Sequence, residues 1–143
     1  MRILLVDDDE NLLETAKRVM KLVEPTFELT TAVSASKAFE ILVQKPFDVI
    51  VSDYQMPGFD GLHFLESLRK TGCETAFILF TGQGSKEVAN RAIELGADYY
   101  LKKEGSSREL FRELTHIIRK AANSKQMNII SHSLEYKPCI ERN

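Results

Sequence analysis

The chain has 143 residues, enough for one domain whose core needs no disulfide or metal staple, and its 43% hydrophobic and 28% charged residues are ordinary for a soluble globular protein. A formal net charge of -2 gives no reason to expect nucleic acid or an anionic membrane as a partner of the bulk surface. No stretch reaches the roughly 20 apolar residues of a membrane span, and the apolar run in MRILLVDDDE is too short for a signal peptide, so a cytoplasmic location is expected.

Short apolar runs alternate with amphipathic stretches along the chain. ILLV (Ile3 to Val6) is a continuous apolar run of the kind that marks a strand covered on both faces. Leu12, Leu13, Ala16, Val19, Met20 and Val23 then recur at helical spacing, with Asp9 or Asn11 as N-cap and Pro25 ending the helix. FELTTA (Phe27 to Ala32) alternates like a strand, and SASKAFEILVQK follows as a helix opened by Ser34 or Ser36. FDVIVS (Phe47 to Ser52) is the third strand; the next helix is capped by Asp60 and closed by Gly72. AFILF is the fourth strand, followed by a helix from Ser85 to Gly96, then DYYL as a short fifth strand and a last helix opened by Ser106 or Ser107 and ending at Ala122.

Strict alternation of five strands and five helices predicts an α/β fold with a parallel sheet and helices on both faces, because parallel neighbours need crossovers. Right-handed crossovers leave chiefly the flavodoxin-like, doubly wound order 2-1-3-4-5. Residues 1–122 then form one unit, and 123–143 lose the rhythm and read as a tail or truncated linker.

Ligand sites in such sheets lie outside the carboxyl ends of the strands, where strand order reverses. The residues at those ends are Asp7, Asp8 and Asp9 after strand one, Asp53 after strand three, Thr81 after strand four, and Lys102 and Lys103 after strand five. Clustered carboxylates repel unless a cation neutralises them, and hard oxygen ligands suit Mg²⁺, which takes one or two carboxylates, waters and a phosphate oxygen. A lysine supplies a compact positive charge, and a threonine hydroxyl can donate to a phosphoryl oxygen. A remaining carboxylate can then act as a nucleophile that forms an aspartyl phosphate. Taken singly, each residue also has a plain reading: acids favouring a helix dipole, a turn aspartate, surface lysines, a strand-end threonine. Their coincidence on four strand ends favours a site.

Other signals are weaker. TGQGSKE lacks the spacing of a phosphate-binding P-loop, and His63, His116 and His132 have no acids at ligand spacing. Cys73 and Cys139 lie far apart with no CxxC, so neither a zinc site nor a disulfide framework is suggested, and Cys73 reads as inert.

In order and spacing, ILLVDDDE, VIVSDYQMPGFDG, ILFTG and GADYYLKK resemble the receiver domain of two-component response regulators over about residues 1–122. The resemblance implies that Asp53 is the phosphoacceptor. Asp7 and Asp8 would be the acidic pair for Mg²⁺, with Asp8 the direct ligand and the backbone carbonyl of Gln55 a further one. Thr81 would be the hydroxyl that moves toward the phosphoryl group, Tyr100 the switch aromatic, and Lys103, three residues beyond it, the phosphate-binding lysine. Gln55 and Gln83 fall where the family tunes phosphoryl lifetime. The phosphoryl donor would be a histidine kinase or histidine phosphotransfer protein. The output surface would be the fourth helix, fifth strand and fifth helix, near Arg91, Glu94, Arg108 and Arg112, open to an effector domain or a homodimer.

One departure stands out. The family's proline after the lysine, commonly in a cis peptide, is Glu104 here. A non-proline cis bond costs about 2.5–4 kcal/mol, so a trans peptide is expected. Two alternatives remain: a degenerate receiver that binds protein without phosphorylation, and a haloacid-dehalogenase-type phosphatase using Asp7-x-Asp9.

Overall fold

The computed structural model describes residues 1–132, with side chains through Lys125. Five strands, β1 (Arg2–Val6), β2 (Glu28–Ala32), β3 (Val49–Ser52), β4 (Ala76–Thr81) and β5 (Tyr99–Lys102), form one parallel sheet in the order β2-β1-β3-β4-β5. They alternate with α1 (Glu10–Val23), α2 (Ala35–Leu42), α3 (Gly61–Lys70), α4 (Lys86–Glu94) and α5 (Ser107–His132). The expected doubly wound topology is therefore the observed one.

The two faces of the sheet divide the core by strand parity, since successive side chains point to opposite sides. Ile3, Leu5, Val49, Val51, Ile78 and Phe80 pack with α1 and α5. Leu4, Val6, Ile50, Phe77 and Leu79 pack with α2, α3 and α4. Both faces are buried, which is why β1, β3 and β4 read as unbroken apolar runs rather than alternating ones. In the second layer Phe64 meets Phe39 edge-on at 5.1 Å and Phe77 at 5.9 Å between ring centroids, a preferred arrangement for aromatic quadrupoles.

The helix starts follow side-chain capping. Asp9, Ser34, Asp60 and Ser85 each accept from a backbone N–H in the first turn of α1 to α4. Of the alternatives left open by the sequence, Asp9 rather than Asn11, Ser34 rather than Ser36, and Ser106 rather than Ser107 do the capping. Strand ends differ from expectation by one or two residues. Phe27 closes a turn onto the Glu24 carbonyl instead of opening β2, and the Asp48 carboxylate accepts from the Arg2 N–H ahead of β3. The helix expected to end at Ala122 runs on to His132, because residues 123–132 hold no glycine or proline to stop it. The rest of the C-terminal segment, 133–143, lies outside the described residues. Cys73, expected to be an inert thiol, is buried in the second layer and is not free.

Arg69, near the end of α3, ties down the edge of the sheet opposite the aspartates. Its guanidinium donates to the carbonyls of Cys73, Thr75 and Gly96 at 2.8–2.9 Å and approaches Asp98 at 3.5 Å. Asp98 in turn accepts from the Phe77 N–H at 2.8 Å. The starts of β4 and β5 and the end of α4 are thus joined through one side chain.

Candidate functional site

Strand order reverses between β1 and β3, and both strands end in aspartate. The ladder continues one residue past each strand: the Asp7 N–H donates to Ala32 O at 3.0 Å and the Asp53 N–H to Val6 O at 2.9 Å. This backbone pairing fixes both carboxylates side by side. On the other flank the Lys103 N–H donates to Thr81 O at 3.0 Å, which aims the lysine back over the same edge.

A cleft of about 600 Å³ opens there, lined by Asp7, Asp8, Asp53, Gln55, Gln83 and Lys103 among others. Carboxylate oxygens of Asp7, Asp8 and Asp53 all lie within 4.8 Å of one another. The Lys103 ammonium stands 2.6 Å from Asp7 Oδ2 and 3.5 Å from Asp53 Oδ1, and 5.4 Å from the centre of the Phe80 ring. Asp53 Oδ1 also accepts from the Tyr54 N–H at 2.8 Å, and Asp7 Oδ1 from the Asp9 N–H at 2.9 Å. Asp7 is 1% exposed and Asp53 8%, whereas Asp8 is exposed. Burial raises the Asp7 carboxyl above its ordinary range. The Lys103 hydrogen bond, the Asp9 N–H and the Lys103 charge pull it back down, and the Asp53 charge pushes it up.

The loop after β3 must return sharply to build this cleft. Gly58 takes the turn at φ 81°, and the Gly61 N–H reaches back to Tyr54 O at 2.7 Å. A Cβ on Gly61 would overlap the Asp53 carbonyl oxygen and stand 3.1 Å from Leu79 Cδ1. Only glycine lets α3 start this close to Asp53.

The described sequence matches the family model "response regulator receiver domain" over residues 3–131. The chain belongs to the response regulator receiver family. It is 34% identical over 137 residues to the two-component response regulator ORR21 of Oryza sativa subsp. japonica, covering 94% of this chain and 19% of that protein. It is also 34% identical over 125 residues to the transcriptional regulatory protein CpxR of Escherichia coli (strain K12), covering 87% of this chain and 52% of that one. The receiver thus spans about a fifth and about half of those two relatives. A response regulator receiver domain protein from Clostridium thermocellum superposes with a TM-score of 0.77 at 28% identity, covering 89% of this chain and 98% of its own.

Among the residues singled out in the receiver's sequence, Asp7, Asp8, Asp53, Gln55 and Lys103 share the cleft. Lys102 does not: it is exposed and pairs with Glu104 at 3.1 Å, so its neighbour is the lysine that faces the carboxylates. Thr81 is fully buried just beneath, its Oγ1 accepting from the Gln83 N–H at 3.1 Å. Tyr100 is partly buried on the α4 side. Asp9 also lines the cleft, but its carboxylate is engaged as the α1 cap, accepting from the Asn11 and Leu12 N–H groups. That engagement counts against its use in an Asp-x-Asp pair. The described residues contain no cis peptide, as expected from Glu104, and Gly105 at φ 87° turns the chain instead. What sequence reasoning missed is mostly backbone: the N–H groups of Tyr54 and Asp9 that orient the acids, and the bare Cα of Gly61.

Proposed function

We propose that this receiver is a phosphoacceptor in a two-component phosphorelay, taking a phosphoryl group from a phosphohistidine onto Asp53. The observation that carries the reading is the placement of Asp53 at the strand-order reversal, within reach of two further carboxylates and the Lys103 ammonium. In the transfer a P–O bond forms to an Asp53 oxygen as the P–N bond to the imidazole breaks, its electron pair staying on the ring nitrogen. Both protein contacts to the Asp53 carboxylate fall on Oδ1, which leaves Oδ2 as the attacking atom. Lys103 neutralises charge on the phosphoryl oxygens, and positioning and electrostatics account for most of the rate.

The donor set fits Mg²⁺. Three carboxylates against one ammonium leave a formal charge of minus two, and all the donors are hard oxygens. Asp8, exposed, would hold the ion directly with Asp53 and the Gln55 backbone carbonyl, and Asp7 would complete the acidic pair. When bound, the ion supplies charge neutralisation on the phosphoryl group.

Phosphorylation then draws the Thr81 hydroxyl toward Asp53 and lets Tyr100 turn, shifting a pre-existing equilibrium of the α4–β5–α5 face. Ile93, 55% exposed, and the ion pair of Arg91 with Glu94 lie on that side and offer contacts to an effector domain or a second copy. The donor is a histidine kinase or histidine phosphotransfer protein. The chain catalyses only its own phosphorylation and dephosphorylation. The receiver unit covers 1–122 and the tail or linker 123–143, with α5 running from one into the other.

Incubation with acetyl phosphate and Mg²⁺, followed by intact mass, tests the reading. A single phosphoryl adduct is expected in the parent chain and none in Asp53→Asn, with Asp7→Asn slowed. No adduct together with no Mg²⁺ binding would overturn it in favour of a phosphorylation-independent binding module.

A further inference from the structure

The loop after β4 contains two glycines, Gly82 and Gly84, and neither has a left-handed backbone. Their conformations therefore do not require glycine. At Gly82 an added Cβ would meet only Lys103 Cβ, at an ordinary 3.9 Å. At Gly84 it would overlap the Tyr100 hydroxyl, lie 2.7 Å from Tyr100 Cζ and stand 3.1 Å from Thr81 Cγ2. Gly84 is the point where the two side chains meet, and its bareness is explained chiefly by the Tyr100 ring.

Register explains how they reach one place. Tyr100 pairs with Leu79, and Leu79 and Thr81 share a face of β4. To lie beside Thr81, the Tyr100 side chain must climb two residues of strand rise, about 6.6 Å. A tyrosine ring with its hydroxyl spans that length, and the ring then ends against the Gly84 Cα. Below, it packs in the layer that holds Val88, Ala92 and Leu95.

We infer that Gly84 is a positioning residue of the switch: its bare Cα is the seat that lets the Tyr100 ring lie beside Thr81. Any side chain at 84 holds the ring out of that seat, whatever the state of Asp53. The link to phosphorylation rests on the phosphoacceptor reading above; the steric seat does not.

The test is Gly84→Ala in the full chain, without acetyl phosphate. Tyrosine nitration by tetranitromethane, mapped by peptide mass, reads the exposure of Tyr100, with neighbouring Tyr99 as internal reference. Overpacking by one methyl group shifts such a balance on the order of tenfold, so Tyr100 nitration rises by that order relative to Tyr99. Unchanged Tyr100 nitration overturns the inference. A thermal double-mutant cycle adds a second readout: Gly84→Ala lowers Tm in the parent chain but not in a Tyr100→Ala background. Losses that simply add overturn it too. Should Gly84→Ala alone fail to fold, recovery in the double variant supports the seat, and failure to recover refutes it. Parent phosphorylation is measured separately by intact mass, so loss of the phosphoacceptor reading and loss of the seat are distinct results.

Discussion

Replacing Lys103 with methionine removes the only cation within 4 Å of Asp7 and Asp53 among the described residues while keeping the length of the stem. Breaking a fully buried ion pair costs about 3–5 kcal/mol, because the remaining charge is stranded. Here the Lys103 side chain is 18% exposed, and Asp7 can relieve itself by taking a proton. Those two outlets reduce the expected loss to about 1–3 kcal/mol at pH 7.5. The pH dependence has a definite sign. Burial raises the Asp7 carboxyl above its unfolded value despite the lysine. The native state therefore binds more protons between the two values, and stability falls as pH rises through that window. Lys103 lowers the folded value through a hydrogen bond and its charge, so its loss moves the top of the window upward. The deficit of Lys103→Met is complete above that upper limit and shrinks in acid, where Asp7 is protonated with or without the lysine. Urea unfolding with EDTA present, at pH 7.5 and near pH 4, measures both values. An equal deficit at the two pH values, or none at pH 7.5, would refute the argument. Lys102→Met is the control, expected within about 0.5 kcal/mol of the parent because its side chain is exposed.

Three further outcomes are expected. Gly61→Ala forces a methyl group into the Asp53 carbonyl, so it should lower stability by about 1–3 kcal/mol and slow phosphoryl uptake, measured by urea unfolding and intact mass. Saturating Mg²⁺ should raise thermal stability, by about 2.7 kcal/mol at a hundredfold excess over Kd, and the gain should vanish in Asp8→Asn as followed by differential scanning calorimetry. Asp9→Ala should cost about 1 kcal/mol through loss of the α1 cap while phosphoryl uptake from acetyl phosphate continues. Loss of uptake without loss of stability would return Asp9 to the list of reactive acids.

Much of this is legible in the sequence. Alternation of apolar runs with amphipathic stretches specified the sheet, because a strand buried on both faces has no polar side to show. The four strand ends named the acids, the threonine and a pair of candidate lysines, since topology forces parallel strands to deliver their carboxyl ends to one edge. The choice of Lys103 over Lys102 rests on the resemblance, through its spacing from Tyr100; the structure supplies the physical reason, since consecutive residues at a strand end point to opposite sides and Lys103 is the one that meets Asp7. The sequence pattern could not show Gly61 or Gly84. A glycine needed for space rather than for φ leaves no local signature, because what it avoids comes from another strand. The extent of α5 was underread for a related reason. Helices end where something stops them, and polarity in residues 123–126 is not a stop signal.

The Arg69 contacts bear on how α4 can move. They hold the Gly96 carbonyl, just past the C-terminus of that helix, to the end of α3 and the start of β4. The other end of α4 begins at the Ser85 cap, next to Gly84, Thr81 and Tyr100, with no comparable clamp among the described residues. A helix fastened at one end behaves as a lever, not a piston. On the proposed reading Gly96 would be the fulcrum, and displacement would grow turn by turn toward Ser85, at the end of the helix nearest Thr81 and Tyr100.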